Sequence, residues 1–173
     1  MRRIIRPPLK PRGRNVSRRS FVVATTIILT LALATVAIAA EPYVGTWKLN
    51  VAKSKINIGP WIKSSTVTIT AQDNGIWLVD DIVDADGKAI HVDFTAKYDG
   101  KDYSITGAPD EDTVALNRID TKTWTEVLKK AGKQAQRSGR ITISKDGMTM
   151  THTTKEKNDK GQNFINTFVW DRQ

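Results

Sequence analysis

Short β-rich runs separated by glycine turns fill the chain from Tyr43 onward, and this pattern limits the fold more than any other feature. The turns are Asp73-Asn74-Gly75, Asp86-Gly87, Asp99-Gly100, Ala131-Gly132, Asp146-Gly147 and Lys160-Gly161. Turns of this composition join neighbouring antiparallel strands into hairpins. The sequence therefore predicts a meander of hairpins rather than a helical or mixed fold.

The runs between the turns alternate apolar and polar residues with a period of two, which indicates strands with one buried and one wet face. The stretch 90–98 shows this best, with Ile90, Val92, Phe94, Ala96 and Tyr98 set against His91, Asp93, Thr95 and Lys97. This pattern predicts ten strands, near 43–50, 64–71, 76–83, 88–98, 101–106, 113–119, 122–130, 134–144, 147–155 and 162–171. The one sizeable connection, 51–63, contains Gly59-Pro60 and has room for no more than a helical turn.

So many sequential antiparallel strands leave two sheet edges open to pairing with other chains. Closing an up-and-down sheet into a barrel removes both edges. We therefore predict an all-β fold, a single antiparallel up-and-down β-barrel of about 8–10 strands, preceded by an N-terminal signal helix. A β-sandwich is the alternative.

The first forty residues have the layout of an export signal. A basic stretch leads into Ser17-Arg18-Arg19-Ser20-Phe21, and a moderately apolar run from Val22 to Ala37 follows. The paired Arg18 and Arg19 resemble the bacterial twin-arginine signal, which engages a dedicated export machinery. An ordinary basic region of a general secretory signal is the alternative.

Ala37 and Ala39 fit the small-residue positions that precede a signal cleavage site. We therefore predict a signal peptide over residues 1–39, a barrel domain over 40–173, and a periplasmic or secreted location. If the signal is not cleaved, its apolar run is about long enough to serve as a membrane anchor.

The net positive charge of the chain comes almost entirely from this leader. Residues 1–40 hold eight of the 27 Lys and Arg residues and no acidic residue, which leaves 19 basic and 18 acidic residues in the remainder. A nearly neutral domain with interspersed charges lacks the basic stripe that nucleic-acid binding requires. Nucleic acid is therefore not an expected partner.

Few residues in the chain can carry catalysis or hold a metal. There is no cysteine, and the two histidines, His91 and His152, lack a recognisable nucleophile and acid beside them. The acidic run Asp80, Asp81, Asp84 and Asp86 lacks the spacing of a calcium loop and fits a polar strand end before a turn. We predict no enzyme activity, no cofactor and no metal.

Two motifs at the ends of the domain resemble the calycins, the group that contains the lipocalins and the intracellular fatty-acid-binding proteins. Gly45-Thr46-Trp47 is similar to their first-strand glycine-x-tryptophan motif, and the last strand ends at Arg172. The stretches GTWKLN, DADGK, YDGKDY and SKDG are also similar to those of small secreted lipocalin-like proteins of bacteria. The resemblance implies that Trp47 plugs the closed end of the barrel beneath Arg172.

The resemblance also implies that the barrel either packs solid or encloses one small apolar ligand. The candidate ligand-contacting residues on apolar strand faces are Phe94, Tyr98, Trp124 and Phe168. Arg118 shares its strand face with Val114 and Leu116, so it is expected to point inward. In fatty-acid-binding relatives such an arginine takes the ligand carboxylate, whereas pairing with Asp120 or Asp110 is the local alternative.

The sequence thus predicts an exported lipocalin-like barrel that binds a small hydrophobic ligand, such as an acidic lipid, without catalysis. The alternative is a solid barrel that serves as a structural or interaction module of the cell envelope.

Overall fold

The structure is a computed structural model and describes residues 41–57, 62–130, 137–157 and 161–173. Its strands are β1 (Gly45–Leu49), β2 (Ile62–Gln72), β3 (Gly75–Asp84), β4 (Ala89–Lys97), β5 (Asp99–Thr106), β6 (Thr113–Arg118), β7 (Thr123–Lys129), β8 (Arg137–Ile143), β9 (Thr149–Lys157) and β10 (Asn163–Arg172). A single 3₁₀ turn, Val51–Lys53, follows β1. The predicted leader and the predicted strand residues 134–136 lie outside the described residues.

The ten strands form one closed antiparallel barrel in sequence order, with β1 hydrogen-bonded to both β2 and β10. At the closing seam, Trp47 lies opposite Arg172 and Leu49 lies opposite Trp170. The predicted up-and-down barrel is therefore confirmed, and the sheet has no free edge of the kind a sandwich would leave. In the part of the chain that the structure describes, no helix is long and apolar enough to span a membrane.

Strand alternation places the apolar faces inside the barrel, as the period-two pattern predicts. On β4, Phe94 and Ala96 are buried while Thr95 and Lys97 are exposed. The buried core is continuous around the barrel and includes Tyr43, Trp47, Ile69, Ile76, Val114, Leu116, Trp124, Ile141 and Trp170.

Arg172 stacks on Trp47 at this closed end. The guanidinium carbon lies 4.1 Å from the centroid of the indole ring, which is fully buried. The same guanidinium donates hydrogen bonds to three backbone carbonyls, those of Val44 (2.8 Å), Gly147 (2.6 Å) and Pro42. A cation over an indole face is attractive, and the carbonyl bonds satisfy the partly buried charge.

The backbone conformation at residue 45 and its contact with Arg172 both require a glycine at the start of the tryptophan motif. Its φ of +135° lies in a region that residues with a side chain rarely adopt. A Cβ at this position would lie 2.7 Å from Nη1 of Arg172. The first strand can therefore pass beneath the arginine only because residue 45 has no side chain.

We expect Gly45→Ala to lower the free energy of unfolding by about 2–4 kcal/mol, because it adds backbone strain and displaces Arg172. Urea unfolding followed by tryptophan fluorescence measures the loss. Gly87→Ala is the matched control, since Gly87 has a φ of +86° but no atom within 4 Å of a Cβ built there. Equal losses in the two variants would show that the Arg172 contact is unimportant.

Candidate functional site

The barrel encloses a cavity of about 500 Å³ between the closed end and the opposite rim. Most of its wall is aliphatic or aromatic, and it includes Val67, Ile69, Leu78, Ile82, Val92, Phe94, Ile105, Trp124, Leu128, Ile141, Met150, Phe168 and Trp170. Inward-facing residues of eight strands contribute to this wall, which follows from strand alternation around a closed barrel. Concave apolar cavities of roughly 300–1,000 Å³ are typical small-molecule sites.

Three of the predicted ligand-contacting residues line this cavity, namely Phe94, Trp124 and Phe168. Trp124 also forms part of the closed end, where its ring packs edge-on against those of Tyr43 and Tyr98 at centroid distances of 5.5 and 6.4 Å. Tyr98 is not among the cavity-lining residues. It lies below Trp124, in the aromatic layer that fills the closed end.

Arg118 lies at the closed end as well, not on the cavity wall. Its guanidinium donates to both carboxylate oxygens of Glu41, at 3.2 and 2.5 Å, and lies over the rings of Tyr43 and Tyr98. Its Nε donates to the backbone carbonyl of Asp120. Strand alternation predicted the face of β6 on which Arg118 lies but not its position along the barrel. Because β6 reaches the closed end at Arg118, this arginine binds the carboxylate of Glu41 and not that of a ligand.

Asp80 is the most distinctive polar group on the cavity wall. It lies on the inner face of β3, with Val67 and Val92 as its neighbours on the adjacent strands. Its carboxylate accepts a hydrogen bond of 2.7 Å from the hydroxyl of Ser65, which accepts one of 3.1 Å from the Trp170 indole. Burial raises the pKa of Asp80 to about 6, against the lowering effect of the Ser65 hydrogen bond.

Glu126 and His152 lie in contact inside the barrel. Nε2 of His152 lies 2.9 Å from Oε1 of Glu126, and both side chains are largely buried. Burial opposes ionisation of Glu126, but the charge and hydrogen bond of His152 outweigh it and lower the pKa of Glu126. The two residues are on β7 and β9, so they meet across β8.

Gly139 is the residue of β8 that lets this pair form. It lies opposite Glu126 on one side and Thr154 on the other. A Cβ at this position would lie 2.3 Å from Nε2 of His152 and 3.0 Å from Oε1 of Glu126. Any larger inward-facing residue would separate the two charges.

An ion pair lies nearer the rim, where Nη2 of Arg137 is 3.3 Å from Oε1 of Glu111. Burial raises the pKa of Glu111, although Arg137 opposes that shift. Glu156, opposite Arg137 on β9, accepts hydrogen bonds from Thr154 (2.8 Å) and Asn166 (3.3 Å). Arg137 and His152, the two basic side chains of the wall that are not exposed to solvent, therefore each lie beside a carboxylate.

The sequence interpretation did not assign these polar wall residues, although the alternation that placed the core also covers them. Asp80 shares its strand face with Ile76 and Leu78, and Glu126 shares its face with Trp124 and Leu128. The acidic run on β3 had suggested a polar strand end, which fits Asp84, whose side chain accepts hydrogen bonds from the next turn. Asp80 lies four residues earlier and inside the barrel.

Within the described ranges no group of three or more His, Cys, Asp or Glu side chains is arranged to hold a metal ion. The site is thus an apolar cavity with a few fixed polar groups, an arrangement that can bind and orient an amphipathic molecule.

The fold, ten antiparallel strands closed into a barrel with a cavity inside, is similar to that of a solved bile acid-binding protein. The zebrafish ileal bile acid-binding protein, in a crystal structure with cholic acid, is similar to it with a TM-score of 0.50 and 10% sequence identity. The match covers 76% of this chain and 99% of the zebrafish chain. At that identity the likeness concerns the fold.

Comparison by sequence gives no such match. No protein-family model matches the chain. No curated protein matches it either.

The raised pKa of Asp80 predicts a pH-dependent stability. A carboxyl group with a higher pKa in the folded state stabilises the fold while it is protonated, and this contribution is lost as the pH rises through about 6. We therefore expect Asp80→Asn to raise the free energy of unfolding by up to about 3 kcal/mol above pH 7, with little gain below pH 4.

Urea unfolding of the wild type and the variant between pH 4 and pH 8 measures this difference. Asp93→Asn, which changes an outward-facing aspartate on β4, is the control and should show no comparable trend. A gain for Asp80→Asn that is the same at pH 4 and pH 8 would exclude the titration of Asp80 as its cause.

Proposed function

We propose that this protein is an exported calycin-type barrel that binds a small hydrophobic ligand in its interior without catalysis. The observation that carries the proposal is the cavity of about 500 Å³ inside the barrel, with a mostly apolar wall. Transfer of a ligand's apolar surface from water to such a wall is favourable by about 25 cal/mol per Å².

The cavity favours ligand binding over the solid structural barrel that the sequence also allows. A barrel packed for stability alone fills its interior with side chains to the density of an organic crystal. Here the rings of Tyr43, Tyr98 and Trp124 pack together at the closed end, and the space beyond them forms the cavity. The zebrafish protein, which is similar in fold, was crystallised with cholic acid.

A binding role fits the chemistry of the wall better than a catalytic one. Among the described residues that line the cavity, the one hydroxyl group is that of Thr154, which donates to Glu156. Glu126 and His152 are paired with each other, and Ser65 is held between Trp170 and Asp80. The polar groups are thus fixed in place, as orienting groups for a ligand are.

Export is the second part of the proposal, and the sequence of the leader supports it. The layout of residues 1–39, with Arg18-Arg19 before a moderate apolar run, is that of a cleaved signal. A periplasmic or secreted location follows, with the export machinery as the partner of the leader. The absence of cysteine suits a domain that is exported already folded.

A larger side chain inside the cavity should weaken the binding of apolar ligands while leaving the fold intact. Val92 lines the cavity on β4, so Val92→Phe places a ring in open space. We expect this change to weaken binding of N-phenyl-1-naphthylamine, a neutral fluorescent apolar probe, at least tenfold, or about 1.4 kcal/mol. Titration of the probe into the purified domain measures the affinity.

Thr95→Phe is the matched control, because Thr95 lies on the same strand and faces solvent. It should leave the probe affinity unchanged. Mass spectrometry of an organic extract of protein purified from its host should also detect an apolar molecule. If the wild type neither binds the probe nor carries such a molecule, the barrel does not serve as a carrier.

The route of export can be tested separately. We expect the double change Arg18→Lys and Arg19→Lys to block processing and export, because the twin-arginine pathway requires the arginine pair. Cell fractionation with N-terminal sequencing of the product measures both. The control is Arg12→Lys with Arg14→Lys, which makes the same change of residue type outside the arginine pair. Equal export of both variants would indicate a general secretory signal.

A further inference from the structure

The charge of the cavity wall is mainly negative. Its acidic residues are Asp80, Asp84, Asp110, Glu111, Glu126 and Glu156, and its basic groups are Arg137, His152 and Lys157. Of the basic groups, Lys157 is exposed to solvent at the end of β9, while the other two lie deeper. A ligand in the cavity therefore meets more carboxylates than cations.

Each of the two deeper basic side chains already contacts a carboxylate, although Nε of Arg137 is buried without a hydrogen-bond partner among the described residues. Arg137 is paired with Glu111 and His152 is paired with Glu126. A ligand carboxylate bound at either side chain would lie beside the carboxylate that is already there, and like charges at close range repel each other.

Asp80 is in the opposite situation, because its carboxylate has acceptor sites to spare. A carboxylate accepts about four hydrogen bonds, and the only one that a described side chain donates to it comes from Ser65. Asp80 makes no ion pair with any described residue. It faces the cavity between Val67 and Val92, so its neighbours on both adjacent strands are apolar.

Trp170 adds a second feature that suits a cation beside Asp80. Its indole nitrogen donates to Ser65, so the ring is fixed next to the serine and carboxylate by two hydrogen bonds in series. The ring also lines the cavity, with Phe168 at 5.8 Å between centroids. Aromatic rings beside a carboxylate are a recurrent way of binding organic ammonium groups.

We propose that the ligand of this barrel is a cationic amphiphile, with an ammonium group that pairs with Asp80 and an apolar body that fills the cavity toward Phe94 and Trp124. This inference rests on the proposed binding function and names its ligand class. It replaces the acidic lipid that the resemblance to fatty-acid-binding proteins suggests. The anion-binding arginine expected by that resemblance, Arg118, is held by Glu41 outside the cavity.

Three ligands with one alkyl chain and different head groups test the charge preference directly. These are dodecylamine, 1-dodecanol and dodecanoate, each used below its micelle concentration to displace N-phenyl-1-naphthylamine at pH 7.5. We expect the wild type to bind dodecylamine at least tenfold more tightly than dodecanoate, with 1-dodecanol between them. Equal or tighter binding of dodecanoate would overturn the proposal.

The variant Asp80→Asn tests the contact itself. It should weaken dodecylamine at least tenfold and leave 1-dodecanol within twofold of the wild type, because only the ion pair is lost. Asp84→Asn is the matched control on the same face of β3, since the Asp84 side chain is engaged by its own turn. Equal losses in the two variants would show that the overall negative charge, and not Asp80, attracts the amine.

Acidification should weaken the binding of dodecylamine but not the binding of 1-dodecanol. The charged groups that act on Asp80 are Asp81 beside it, His152 on β9 and Arg137 on β8. Protonation of Asp80 between pH 7.5 and pH 5 removes the negative charge that the ammonium needs, so the affinity for dodecylamine should fall several-fold. An unchanged affinity would contradict the proposal, whereas failure of every ligand and of the probe to bind would instead refute the binding function.

Discussion

The contact between Arg172 and Trp47 is the one on which the rest of the barrel depends. The guanidinium of Arg172 stacks on the Trp47 ring. It also donates hydrogen bonds to carbonyls of the segment before β1 and of the turn between β8 and β9. It thereby ties both sides of the closing seam to a third part of the sheet. Because this end is filled by aromatic rings and fixed by hydrogen bonds, the remaining interior can stay open without loss of the fold.

Much of the fold could be read from the sequence because it depends on local patterns. Alternation and glycine turns located the ten strands to within a few residues, and the motif at Gly45 placed Trp47 beneath Arg172. The same patterns give the face of a residue but not its depth. Arg118 shares the face of Leu116, yet its depth places it beside Glu41, 77 positions away in the chain.

The polar wall of the cavity could not be assembled in advance for a related reason. The pairing of Glu126 with His152 requires two strands that are not neighbours, and it depends on a glycine on the strand between them. Nothing in the local sequence of any one strand signals this meeting. Polar groups of this kind weaken a core unless they are paired, so their presence here is more easily understood as a requirement of the cavity than of the fold.

The order of the strands has a consequence for how the chain could be rearranged. Every strand pairs with its neighbours in sequence, and among the described strands only β1 and β10 pair across a long stretch of chain, beside one isolated bridge between Lys55 and Thr167. At that seam the backbone of Gln173 donates to the carbonyl of Thr46. The sheet is therefore closed, and its strand pairings do not depend on which strand comes first in the chain. A circular permutant, joined by a short linker across the seam and opened at an exposed hairpin such as Asp86-Gly87, would keep every strand pairing and the same interior.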